Sequence, residues 1–123
     1  MDDTKKKILI VDDEESIHLL YREELEEEGY HVVSAMNGED GLKLFEEERP
    51  DLVILDINMP GLDGIEVLRQ MKQLRPDIPV ILSSAYPEYK QDLASWASDD
   101  YIVKSFNLDE LKSAVKRHLA KRS

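Results

Sequence analysis

Apolar residues recur along this chain in two alternating rhythms. Short, mainly apolar runs at residues 8–11, 32–35, 52–55, 79–83 and 101–103 have the length and β-branched content of strands. Between them the apolar positions fall at helical spacing. Ile17, Leu20, Tyr21 and Leu25 mark a helix over residues 15–28, with Gly29 where a left-handed cap would close it. Asn37-Gly38 reads as a turn, and Gly41, Leu42, Leu44 and Phe45 form the inward side of a second helix ending before Pro50. Ile65, Leu68 and Met71 mark a third that stops ahead of Pro76. The fourth, residues 88–97, is the weakest, with only Leu93, Ala94, Trp96 and Ala97 to bury. In the last, Asn107 and Glu110 stand at N-cap and N3 spacing, Leu108, Leu111, Val115 and Leu119 share a face, and basic residues near its end suit the helix dipole.

This alternation predicts an α/β fold, a doubly wound five-stranded parallel sheet with helices on both faces. The third run is apolar throughout, as a central parallel strand must be. Right-handed crossovers bring all the carboxyl ends of the strands to one edge, where such sheets bind ligands. Asp12, Asp13, Asp56, Ser84 and Lys104 all lie at those ends.

Composition narrows the picture. A length of 123 residues suits one domain, read here as residues 1–123 with no output domain after the last helix. With no cysteine, disulfides and thiolate metal sites are excluded. No apolar run reaches membrane-spanning length and no cleavage site follows the N-terminal lysines, so a soluble cytoplasmic protein that does not enter the membrane is expected. Net charge is −11, and residues 1–60 hold 18 Asp/Glu against 6 Lys/Arg. Repulsion over that half argues against binding nucleic acid. His18, His31 and His118 are scattered and read as ordinary surface or boundary residues.

If the first and third strands are neighbours, Asp12, Asp13 and Asp56 converge. Clustered ionised carboxylates repel, and a hard divalent cation relieves them; oxygen-only ligands suit magnesium better than zinc. Asp56 is then a nucleophile beside a cation, Lys104 a point charge for a phosphoryl oxygen, and Ser84 a hydroxyl donor to it. Read singly, Asp12 and Asp13 could be no more than a cap and a turn, Lys104 a solvated surface residue, Ser84 a turn residue and Tyr101 a half-buried strand aromatic. Specificity comes from the set.

The segments Ile10-Val11-Asp12-Asp13, Asp56-Ile57-Asn58-Met59-Pro60-Gly61-Leu62-Asp63-Gly64, Ser84-Ala85 and Asp99-Asp100-Tyr101-Ile102-Val103-Lys104 together resemble a bacterial two-component response-regulator receiver domain, in order and over essentially the whole chain. The resemblance implies a flavodoxin-like strand order 2-1-3-4-5. It implies that Asp56 accepts a phosphoryl group from a sensor histidine kinase or a histidine phosphotransfer protein. By the same resemblance Asp13, Asp56 and the Asn58 carbonyl hold Mg2+, with Mn2+ as a substitute, and Asp12 acts through metal-bound water. Ser84 and Tyr101 match the family's switch pair, whose movement alters the face made by the fourth helix, fifth strand and fifth helix. Asn58 and Tyr86 match positions that set phosphoryl lifetime. Such a domain catalyses only its own phosphorylation and dephosphorylation, and is a monomer or a weak phosphorylation-dependent dimer that signals to a downstream protein.

Two departures stand out. Ser105 follows Lys104 where the family has a proline joined through a cis bond, and a non-proline cis peptide costs about 2.5–4 kcal/mol. The expectation is a strained cis bond or a trans bond that shifts Lys104. The interval from Ser84 to Tyr101 is about two residues short, with Ala97-Ser98 where Gly-Ala is common, so a shortened or displaced fourth helix is expected. These departures keep open a degenerate receiver that only binds partners. An aspartate-nucleophile phosphohydrolase is disfavoured by Asn58, which stands where that class has a second aspartate. A flavin carrier is disfavoured by the lack of a Gly/Ser/Thr-rich loop after Val11.

Overall fold

A computed structural model describes residues 5–56, 64–84, 100–103 and 108–120. The described elements are β1 (Lys7–Val11), α1 (Glu15–Glu27), β2 (His31–Ala35), α2 (Gly38–Glu48), β3 (Leu52–Asp56), α3 (Gly64–Leu74), β4 (Val80–Ser84), β5 (Asp100–Val103) and the C-terminal helix α4 (Asp109–Ala120). All five strands pair in parallel in the order β2-β1-β3-β4-β5, the flavodoxin-like arrangement expected from the sequence. The predicted helix at residues 88–97 lies outside the described residues.

Alternation along each strand divides the core in two. Leu9, Val11, Val53, Leu55, Val80 and Leu82 face one layer and pack with Phe45 of α2 and Val67, Leu68 and Met71 of α3. Ile8, Ile10, Leu52, Ile54 and Ile81 face the other, with Tyr21 and Leu25 of α1 and Leu111, Val115 and Leu119 of α4. Strands covered on both sides favour apolar residues, which is why Ile8–Val11 and Leu52–Leu55 read as continuously apolar.

Local signals explain the helix ends. Gly29, at φ 95°, closes α1: its N–H donates to the Glu26 carbonyl at 3.0 Å and Tyr30 N–H donates to Leu25 O at 3.1 Å, the paired bonds of a Schellman cap. Asn37, expected in a turn, instead caps α2, its side chain accepting from the Asp40 N–H at 2.8 Å. At the start of α4 the Lys112 N–H donates to the Leu108 carbonyl at 2.9 Å; the expected N-cap, Asn107, lies outside the described residues. Arg49 ends α2 in the left-handed conformation at φ 49° just before Pro50, and the Arg75 guanidinium sits 5.4 Å from the Phe45 ring centroid while donating to the Pro50 carbonyl at 2.8 Å.

One close approach matters for the site. A methyl group added to Gly41 would come within 2.9 Å of Val11 Cγ2, so α2 lies hard against the last residue of β1 because position 41 has no side chain.

Candidate functional site

The pairing of β1 with β3 sets Val11 opposite Leu55, so the next residues of both strands emerge side by side at the carboxyl edge of the sheet. Asp12 and Asp56 are buried there, at 2% and 3% exposure, while Asp13 and Glu14 are exposed. One carboxylate oxygen from each of these four residues lies within 4.8 Å of the other three. The convergence expected of Asp12, Asp13 and Asp56 is present. Glu14 adds a fourth carboxylate, and its place directly after Asp13 is the sequence signal for it.

The turn that carries these acids is held at several atoms. The Asp12 N–H donates to the Ala35 carbonyl at 3.1 Å, continuing the β1–β2 ladder by one bond. Asp12 Oδ1 accepts from the Glu14 N–H at 2.9 Å. His18 Nε2 lies 2.7 Å from the Asp12 carbonyl oxygen.

The donor set fits a hard divalent cation. Four carboxylates within reach of one point, two buried and two open to solvent, provide oxygen ligands only and leave an exposed side for water or a substrate oxygen. The second acidic group, Glu23, Glu24 and Glu27, is a solvated face of α1, and Glu24 already pairs with Lys112 at 2.9 Å.

The other expected site residues divide. Ser84 ends β4, in register with Val103 of β5, at the edge where Asp56 ends β3. Tyr101 is 3% exposed and packs in the layer with Leu82, more deeply buried than a half-buried strand aromatic. Asn58, Tyr86 and Lys104, together with the Lys104-Ser105 peptide, lie outside the described residues. Ser83, the register partner of Asp56, went unnoticed in the sequence; it is 1% exposed and its Oγ has no hydrogen-bond partner among the described residues.

The histidine reading needs correcting. His31 is exposed as expected, but His18 and His118 are buried, at 6% and 8% exposure. His118 Nε2 lies 3.1 Å from Asp100 Oδ2, which also pairs with the Arg117 guanidinium. His18 falls on the helical stripe of Tyr21 and Leu25, and His118 on that of Leu111 and Val115, so both turn inward although the residue type is polar.

Two open clefts lie away from these acids. One, of about 510 Å³, runs between α2 and α3 along Phe45, Arg49, Leu74 and Arg75; the other, of about 300 Å³, lies beside β2 and α2. No described helix is long and apolar enough to cross a membrane.

A five-stranded parallel sheet in this order, with carboxylates gathered at the ends of β1 and β3, defines a receiver fold. The family model of the response regulator receiver domain matches residues 8–116, and the chain belongs to that family, whose members are not conventional enzymes. It is 42% identical over 120 residues to sporulation initiation phosphotransferase F of Bacillus subtilis, covering 96% of this chain and 97% of that protein. It is 43% identical to the alkaline phosphatase synthesis transcriptional regulatory protein PhoP of the same organism, of whose length it spans 47%. Among solved structures, the response regulator TrrA of Thermotoga maritima in complex with Mg2+-BeF matches with a TM-score of 0.87 at 53% identity, over 92% of this chain and 98% of TrrA. The complex of the histidine kinase ThkA with TrrA matches at a TM-score of 0.85, over 93% and 98%.

Proposed function

We propose that residues 1–123 form a single phosphoacceptor switch in which Asp56 takes a phosphoryl group from a phosphohistidine. The observation that carries this reading is the convergence of Asp12, Asp13, Glu14 and Asp56 within 4.8 Å of one another at the strand ends. Support also comes from TrrA, whose structures contain Mg2+-BeF in one case and a histidine kinase in the other.

A carboxylate oxygen of Asp56 attacks phosphorus as the P–N bond of the donor breaks and the imidazole leaves. Asp12 and Asp13, with Asp56, would hold the cation, and Glu14 would add negative charge on the solvent side. A Mg2+ ion held there supplies charge neutralisation for the phosphoryl oxygens. Lys104 contributes a second positive charge, Ser84 a hydrogen bond, and the Asn58 carbonyl a further ligand; Mn2+ serves as a substitute ion. Ser84 and Tyr101 then relay the state of Asp56 to the face that includes β5 and α4, which a downstream protein reads. Asn58 and Tyr86 set how long the phosphoryl group survives. The reaction belongs in the cytoplasm, where kinase domains and their phosphodonors are found.

Incubation with acetyl phosphate and Mg2+ tests this. Mass spectrometry is expected to find one hydroxylamine-labile phosphoryl group on the wild type and none on Asp56→Asn or on protein treated with a chelator. A wild type that takes up no phosphoryl group from acetyl phosphate or from any phosphorylated kinase would leave a receiver that acts only by binding partners, the reading to which Ser105 gives some weight.

A further inference from the structure

The buried positions of α1 are His18, Tyr21 and Leu25, spaced as one helical stripe against the sheet. Tyr21 and Leu25 join the apolar core on that side. His18, 6% exposed, holds the position of the same stripe closest to the start of the helix and so to the acidic turn. A leucine or methionine would continue the stripe without any polar atom to satisfy.

The ring makes one bond and forgoes another. A carbonyl oxygen only accepts, so the 2.7 Å contact to Asp12 O means that Nε2 carries the hydrogen and donates. Nδ1 is buried with no hydrogen-bond partner among the described residues. Burying an unpaired polar atom is unfavourable, and native structures that keep one have a reason found elsewhere. Here the ring's one polar contact among the described residues is to Asp12.

That contact acts on the right atom. The peptide joining Asp12 to Asp13 is planar, so fixing the Asp12 oxygen fixes the orientation of the whole unit and the point from which the Asp13 side chain departs. The Asp12 N–H is held by Ala35 O and its Oδ1 by the Glu14 N–H; the carbonyl is the third point, and His18 reaches it from α1. We propose that His18 is a positioning residue for the cation site, its Nε2–H pinning the Asp12 carbonyl so that Asp13 presents its carboxylate toward Asp56. The proposal rests on the reading of Asp12 and Asp13 as cation-holding residues.

The test compares full-length wild type, Asp13→Asn, His18→Leu, His18→Asn and His18→Gln, using Mg2+ alone in calorimetry and acetyl phosphate labelling across a Mg2+ series. The glutamine amide nitrogen reaches about as far as Nε2, whereas the asparagine amide stops short. Leucine and asparagine variants are expected to need about tenfold more Mg2+ for half-saturation, the usual size of an outer-sphere effect, with the glutamine variant near wild type. The labelling rate at saturating Mg2+ should change little, because the role acts through the ion. If His18→Leu fails to fold, the asparagine and glutamine pair decides the matter alone. Half-saturation unchanged in the asparagine variant, or equally weakened in asparagine and glutamine variants of equal denaturation midpoint, overturns the role of His18 while leaving the phosphoacceptor reading standing. A wild type that binds no Mg2+, or an Asp13→Asn variant that binds it as well as wild type, overturns the reading on which the proposal stands.

Discussion

Asp100, the first residue of β5, joins the sheet to the C-terminal helix through one carboxylate. Its Oδ1 accepts from the Tyr101 N–H at 2.9 Å, and its Oδ2 meets both Arg117 and His118. Burial pushes its pKa up, but the Tyr101 N–H, His118 and Arg117 together outweigh that and hold it below the ordinary aspartate value. With the folded value depressed, the unfolded chain takes up the proton first as pH falls, so the stability this carboxylate confers is whole above an unfolded value of about 3.9 and drains as pH drops through the lower folded value. Urea denaturation should therefore show the gap between wild type and Asp100→Asn narrowing from pH 5 to pH 3. A gap that holds constant over that range would mean the carboxylate gains nothing from its partners. Residues of this kind are the least legible in a sequence. Asp100 is one acid among 27 Asp/Glu, and its partners stand 17 and 18 positions away.

At the scale of elements, the contact between α2 and β1 controls how rigidly the acidic turn is presented. Gly41 leaves no room for a methyl group beside Val11, and Asp12 and Asp13 follow Val11 directly. Gly41→Ala would remove a flexible residue from a helix, which ordinarily stabilises by about 1 kcal/mol. Here overlap at 2.9 Å with Val11 costs about 1–3 kcal/mol, which offsets that gain, and the expected outcome is a net loss of up to about 2 kcal/mol in chemical denaturation, with weaker Mg2+ binding as the turn shifts. A variant more stable than wild type would show that α2 can slide without cost. The elements themselves were legible because each side chain obeyed a period: strands appeared as runs and helices as stripes. Their ends were less so. Asn37 looks like a turn residue next to Gly38, and whether it turns the chain or caps a helix depends on where its side chain points.

Over the whole molecule, the acidic half of the chain is the half that builds the site, so a cation should stabilise the fold as well as serve the chemistry. Ion binding to the folded state alone contributes about 2.7 kcal/mol at a hundredfold excess over Kd. Thermal denaturation should show a rise in Tm with Mg2+ for the wild type. Asp13→Asn and Asp56→Asn should respond much less, and sodium at matched ionic strength should not reproduce the effect. An equal rise in all three proteins would mean that general screening of the −11 net charge, and not a specific site, accounts for it.

Read alone, the order of residues determined the class of fold and the acids worth watching, because apolar periodicity and strand-end position are written locally along the chain. Tertiary structure alone decided that the His18 ring reaches the carbonyl of Asp12 and that Asp100 clasps the C-terminal helix. Each of these depends on the rotation of a helix against a sheet or on the direction of one side chain. Such geometry is set by close packing among residues distant in sequence, and no local pattern encodes it.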